Sequence, residues 1–303
     1  MHGVKNLNSS GDYISNSKYV KNSFIATASE HCKYCMWLIV GGNKDCYDYT
    51  QFGENGQRVY EAMTCGKNID SVINGITVVE SQRVHNSMFC FNNSDLFGCV
   101  SLRKKQYCIL NKQYTKEEYE ELVPKIIEHM NKMPYTDKKG RIYKYGEFFP
   151  TEISQFNYNE TSAQEFFPMT KSEAEAHGYS WKEPKEKNYK ITLKSQDLPD
   201  SILDVKDDIT SQIIECEHKG QCNEQCATAF RIIPQELQFY KSQNLPIPRL
   251  CPNCRHYQRV RNRNPNKLFL RNCAKCNKEI ETSYAPDRPE IVYCEQCYQQ
   301  EVM

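Results

Sequence analysis

Three observations predict a mainly β chain: a right-handed parallel β-helix, or solenoid, followed by a helical cap, an α+β connector and small metal-clamped modules. The first is a degenerate repeat running through residues 1–111. The second is the placing of the 16 cysteines, with seven in residues 1–110, none in 111–215 and nine in 216–303. The third is a set of Cys-x-x-Cys pairs at Cys251/Cys254, Cys273/Cys276 and Cys294/Cys297. The break in cysteine usage divides the chain into a solenoid (1–111), a capping helix and connector (112–206) and a tandem zinc-ribbon region (207–303).

The repeat rests on an apolar or thiol anchor at Val20, Cys32, Cys46, Ile69, Val84, Leu96 and Cys108, with gaps of 12, 14, 23, 15, 12 and 12 residues. The long gap divides in two if Val59 is a further anchor. A small or thiol side chain recurs three residues on, at Ser23, Cys35, Ser87 and Cys99. The units are too short for helices and are rich in Asn, Ser, Gly and β-branched residues, which points to short strands broken by turns. Stacked coils explain such a pattern, because each turn then places like residues over like. Two anchors per turn give a coil of about 24 residues, the preferred reading, and one anchor per turn gives a narrower coil.

Next comes a helix. Thr115-x-x-Glu118 is a capping box, and Tyr119, Leu122, Val123, Ile126, Ile127, Met130 and Met133 form one apolar stripe behind it. Pro124 is expected to kink or split this helix, and its place after the last repeat suits a cap that shields open strand edges. Thr170-x-x-Glu173, closed by Gly178, marks a second, short helix. Residues 184–205 read as a linker with a strand at 189–193, and a further helix is expected over 207–216.

In the last region, a strand at 229–233 and a helix opening at Pro234 separate Cys222 and Cys226 from Cys251 and Cys254. Thiolates paired two or three residues apart can hold one tetrahedral ion from two adjacent turns. The first predicted zinc site is therefore Cys222, Cys226, Cys251 and Cys254, with Cys216 and His218 close enough to substitute. The second is Cys273, Cys276, Cys294 and Cys297, whose Cys-x2-Cys-x17-Cys-x2-Cys spacing is that of a zinc ribbon. Its knuckles are expected to meet through a hairpin of 280–284 and 290–293. Two closed sites of this kind mean two structural Zn²⁺ ions rather than a reaction centre. The seven solenoid cysteines follow the repeat and read as small buried hydrophobes; the alternative is that Cys32/Cys35 or a ladder of thiols binds a metal or an iron–sulfur cluster.

The net charge of +1 selects neither a nucleic acid nor a membrane surface for the chain as a whole. One local strip does. Arg255, Arg259, Arg261, Arg263, Lys267 and Arg271 lie together without an acid, interleaved with Tyr257 and Phe269. That mix neutralises phosphates and stacks on unpaired bases, so RNA or single-stranded nucleic acid is the first partner expected, with a protein partner on the solenoid as the alternative. The bland counterpart is a set of arginines paired to nearby acids such as Glu279, Glu281 and Glu295. No apolar run approaches a bilayer span, the first ten residues lack a secretory core, and free thiol knuckles suit a reducing compartment, so a cytoplasmic location is expected. There is no glycine-rich phosphate loop, no Gly-x-Ser-x-Gly and no His-Glu-x-x-His, so no catalytic residues are assigned and a non-enzymatic role is favoured. An enzyme or metallocluster scaffold on the solenoid is the last alternative.

The stretch AFRIIPQELQFYKSQNLPIPRLCPNCRHYQR resembles a bacterial zinc-ribbon type, in which a Cys-x-x-Cys knuckle precedes the Phe-bearing strand. Cys226 stands at that knuckle's second position relative to Phe230, while its partner is displaced to Cys222. CAKC and VYCEQCY resemble a second bacterial ribbon. More broadly, SEHCKYCMW, KDCYDY, LFGCVSLRKKQYCILNKQYTKEEYEELV and CPNCRHYQRVRNRNPNKLFLR resemble a family of cysteine-repeat, zinc-ribbon proteins from uncultured reduced-genome bacteria. That likeness implies a repeat domain followed by ribbons, and no particular activity. Some relatives carry a CaiB/BaiF CoA-transferase label, which no residue here supports. Larger relatives place further ribbons ahead of the repeats, so this chain is expected to begin partway into that architecture.

Overall fold

Between Ile14 and Cys108 most interior side chains stand three residues apart, and this spacing builds the N-terminal fold. The computed structural model describes residues 2–183 and 189–302. Their largest element is a twelve-stranded sheet from Gly3–Val4 to Lys112–Gln113, coiled into a parallel solenoid of about nine turns. Neighbouring strands are parallel and follow chain order, except that Ser29–Glu30 pairs with Asn43–Glu54 and Lys112–Gln113 turns back antiparallel on Gln106–Ile109.

Each straight side of the coil is three residues long. From Tyr13 to Trp37 every third residue has φ between +42° and +62°, and similar corners continue to Leu110. A left-handed corner costs an ordinary L-residue roughly 1–2 kcal/mol, and asparagine less because its amide bonds locally. This explains the asparagines at corners 16, 22, 55, 68, 74, 86 and 92. With two corner-adjacent residues outside, the third points in and meets its equivalent one turn away.

Register shows how narrow the coil is. Cys46 lies on Val59, Val59 on Val72, Val72 on Val84, Val84 on Leu96 and Leu96 on Cys108, so a turn takes 12 or 13 residues there and 14 where Met36 pairs with Thr50. This corrects the expected coil of two anchors: there is one anchor per turn. Val59 is a full member of the column. Ile69 is not, because it points inward one side earlier, over Gly56.

So narrow an interior favours small or slender side chains, and Tyr49 is the large exception, its hydroxyl donating to the Cys65 carbonyl. The second column runs Ser23, Cys35, Tyr49, Ala62, Gly75, Ser87 and Cys99, as the serine and thiol spacing predicted. A Cβ on Gly75 would stand 2.6 Å from the Val72 side chain. The polar members also satisfy corner backbone groups left out of the ladders. Ser23 and Ser87 hydroxyls accept from the N–H of Cys35 and Cys99 at 3.1 and 3.0 Å, and Cys65 Sγ accepts from Val78 N–H at 3.3 Å. Asn43 accepts from Gly56 N–H and donates to the Gly53 carbonyl.

Cysteine is thus a packing residue with a hydrogen-bonding task. Burial pushes the Cys65 thiol up to about 12 and raises Cys90, Cys99 and Cys108, which keeps these thiols protonated. Replacing Cys65 with Ala is expected to destabilise the solenoid by about 1–3 kcal/mol, because the Val78 N–H is left buried and unpaired. Cys65→Ser should recover most of that loss, as read from urea midpoints.

Helix α1 (Lys116–Lys132) has the predicted capping box on both sides, Thr115 with Glu118. Tyr119, Leu122, Val123, Ile126, Ile127 and Met130 pack on Phe97, Ile109 and Tyr107 of the last turns. Pro124 does not split the helix. It sits on the exposed side, where the carbonyl it leaves free can bond water. Helices α2 (Ser162–Phe166) and α3 (Lys171–Ala176) follow, the latter with the Thr170–Glu173 box.

The chain forms two compact units: Met1–Asn157 with Thr170–Ser180 and Pro265–Met303, and Tyr158–Met169 with Trp181–Asn264. In the second unit, α4 (Pro234–Ser242) and α5 (Pro252–Val260) enclose an apolar core of Leu198, Ile202, Ile214, Phe230, Ile232, Leu237 and Ile247. Three expectations fail nearby. Residues 189–193 form no strand, and only Leu193 bridges to Ile214; the first part of that linker, 184–188, lies outside the described residues. The helix expected over 207–216 is a 3-10 turn, Asp207–Ser211, followed by strand Ile214–Glu215. The C-terminal hairpin pairs Phe269–Asn272 with Glu279–Thr282, and 290–293 is not a strand. Helix α6 (Glu295–Val302) ends the described chain. No helix among the described residues is long and apolar enough to cross a membrane.

Candidate metal centres

The hairpin just described ends in a knuckle. Cys273 N–H donates to the Lys278 carbonyl at 2.8 Å, and Asn277, at φ +59°, turns the chain so that its N–H reaches the Cys273 carbonyl. Ala274 N–H donates to the Val292 carbonyl at 2.9 Å, which brings the last pair alongside. Cys294 precedes α6 and Cys297 lies in its first turn, with the Cys297 N–H on Cys294 Sγ at 3.4 Å. The four sulfurs of Cys273, Cys276, Cys294 and Cys297 all lie within 4.8 Å of one another, and Cys276 and Cys294 are 3.7 Å apart. A tetrahedral ion with 2.3 Å bonds to sulfur spaces its ligands about 3.8 Å apart. The group can hold such an ion.

In the other centre, strand Ile214–Glu215 pairs with Ala229–Phe230 and carries Cys216 to the foot of α5. Cys251 is the N-cap of that helix and Cys254 sits in its first turn, where the dipole favours thiolate. Backbone donors surround the sulfurs: Cys251 N–H on Cys216 Sγ at 3.2 Å, Ala227 N–H on Cys251 Sγ at 3.4 Å and Thr228 N–H on Cys226 Sγ at 3.3 Å. The four sulfurs within 4.8 Å are those of Cys216, Cys226, Cys251 and Cys254. Cys216 and Cys254 are 3.9 Å apart, Cys226 and Cys251 4.0 Å. Cys216, the alternate of the sequence reading, therefore completes this quartet. Cys222 stands beside it, 3.7 Å from Cys254, and groups instead with His218, Glu224 and Cys254.

The electrostatics favour a cation in both places. Burial pushes Cys216 up to about 11 and also raises Cys254, whose neighbouring thiols add to the effect. Burial opposes ionisation of Cys251 as well, but the N–H groups of Cys254 and Ala227 outweigh it and lower that thiol. At the second centre burial again opposes ionisation of Cys273, yet the N–H groups of Cys276, Cys294 and Lys275 bring it down to about 6. The hydrogen bond with Cys294, then burial, pushes Cys297 up to about 12. One thiolate forms easily in each quartet and its charge resists the next. A divalent ion removes that resistance and deprotonates the set. No set of three or more solenoid thiols comes together in this way among the described residues.

The basic strip is divided. Arg255 lies 3.8 Å from Glu236, Arg261 pairs with Glu224, and Arg263 pairs with Glu165 at 3.0 Å while covering the Phe166 ring. Arg271 donates to the carbonyls of Ala285 and Glu290. The acids involved are not the Glu279, Glu281 and Glu295 considered from the sequence. Arg259 and Lys267 remain exposed, Lys267 over Phe269. Glu224 and Glu165 were missed by the sequence reading; neither stands in a motif, and Glu165 is far from its partners along the chain.

No protein-family model, curated protein or solved structure matches this chain.

Proposed function

We propose that both quartets hold structural zinc in a reducing compartment and that the chain is a non-enzymatic binding protein. The observation carrying this reading is that each quartet brings four sulfurs within 4.8 Å of one another, enough to fill a tetrahedron without water or substrate. An all-thiolate tetrahedron suits Zn²⁺ among the common divalent ions.

The surface that supports a binding role best is one flank of the solenoid. Phe24, Met36, Thr50, Met63, Ile76, Met88 and Val100 stand in register on consecutive turns, facing outward, with Asn266 lying on Met36 and the later turns left open. Met63 is 41% and Val100 46% exposed. Methionine is flexible and polarizable and adapts to an apolar partner surface, which favours a protein partner. RNA or single-stranded nucleic acid is the second reading. It rests on the exposed Arg259 and Lys267, the other four basic residues being engaged within the fold.

Metal analysis of the purified chain should give at least two zinc ions per molecule, and fewer than two would overturn the structural-zinc reading. Met63→Lys with Met88→Lys should abolish capture of a stoichiometric partner that survives nuclease and high salt. If instead pooled RNA binds with a steep salt dependence and Arg259→Glu removes it, the second reading replaces the first.

A further inference from the structure

We propose that the centre at the foot of α5 takes a second divalent ion, held by His218, Cys222 and Glu224 and bridged to the first through the Cys254 thiolate. Five cysteines converge there, one more than a tetrahedral ion uses. Cys222 is the extra one, and its sulfur lies 3.7 Å from that of Cys254. Around it the ligand atoms of His218, Cys222, Glu224 and Cys254 all lie within 4.8 Å of one another.

The second observation is Glu224. It is 5% exposed, and both carboxylate oxygens are buried without a hydrogen bond. Oε1 faces the Arg261 guanidinium, and Oε2 lies 3.1 Å from His218 Nδ1, which likewise makes no hydrogen bond. A buried carboxylate normally gathers several donors. Here the carboxylate is ion-paired to Arg261 and His218, and one of its oxygens, the His218 nitrogen and the sulfurs of Cys222 and Cys254 share one small volume. One nitrogen, one oxygen and two sulfurs suit a borderline cation such as Zn²⁺. Turn residues Lys219 and Gly220, both at positive φ, fold the 216–226 loop so that His218 and Cys222 approach the helix.

The inference rests on the zinc reading above, because Cys254 is shared. Native mass spectrometry of the full chain loaded with Zn²⁺ separates the two. Three ions per chain is the expected result, falling to two in Cys222→Ser and in His218→Ala, the latter half-exposed and outside the quartet. Two ions in the unaltered chain, unchanged by either substitution, would overturn this inference and leave the quartets standing. Fewer than two would overturn both. Co²⁺ loading provides a second measurement. A thiolate-bridged pair couples its spins and places the metals about 3.5–4 Å apart by X-ray absorption, as in other two-metal sites. Uncoupled Co²⁺ with no metal neighbour would count against the bridge.

Discussion

Removal of zinc is expected to unfold residues 265–302 while residues 193–262 stay compact. Apart from cysteines, residues 265–301 bury one large aliphatic side chain, Val292, in the stretch between the hairpin and α6. Structural zinc contributes on the order of 10–16 kcal/mol in small finger peptides, far more than such a segment gains from its apolar contacts. The centre at α5 differs. It is set into a cluster with Leu198, Ile202, Val205, Ile209, Ile214, Phe230, Ile232, Leu237, Ile247 and Leu250, each worth about 1.5–3 kcal/mol when fully buried. Hydrogen exchange after chelation, or in Cys273→Ser with Cys276→Ser, should show protection lost across 269–302 and largely kept from 214 to 260. Unchanged protection of the C-terminal segment would refute the claim that metal holds it together.

The other large effect is expected in the solenoid. Val72 is fully buried between Val59 and Val84. Val72→Asp places a carboxylate in a column of apolar side chains shielded from water, at a cost of several kcal/mol. Each coil touches only its neighbours, so a break in the middle coil should abolish cooperative unfolding of the whole array. Ser71→Asp, one residue away, should change stability by no more than about 0.5 kcal/mol. Ser71 occupies a left-handed corner at φ +55°, which Asp tolerates, and its hydroxyl already accepts from Arg58 Nε at 3.2 Å. Circular dichroism during urea titration distinguishes the two variants. Equal tolerance of both would show that the spacing of three does not define the interior.

The contrast between these neighbours also explains what the sequence disclosed. The anchors were legible because stacked coils repeat their interior side chains, and the last knuckles because metal ligands obey local spacing. Coil size was not legible. Strand and helix templates have periods of 2 and 3.6, whereas here one residue in three points inward. Ile69 and Val72, three apart and both apolar, both satisfy that rule, so only register separates them. Cys216 was harder to place than Cys222 because it reaches its quartet through strand pairing, with its N–H on the Thr228 carbonyl. Glu165 reaches Arg263 across 98 residues, a separation that no local motif encodes.

Three-residue sides have a consequence for the length of the molecule. Each added coil extends the sheet by one inter-strand step, about 4.8 Å. Because an interior side chain meets only the coils directly above and below, inserting or deleting some twelve residues leaves the distant coils as they were. The outer row from Phe24 to Val100 then works like a ruler graduated in whole coils, whose reach descent can adjust one division at a time.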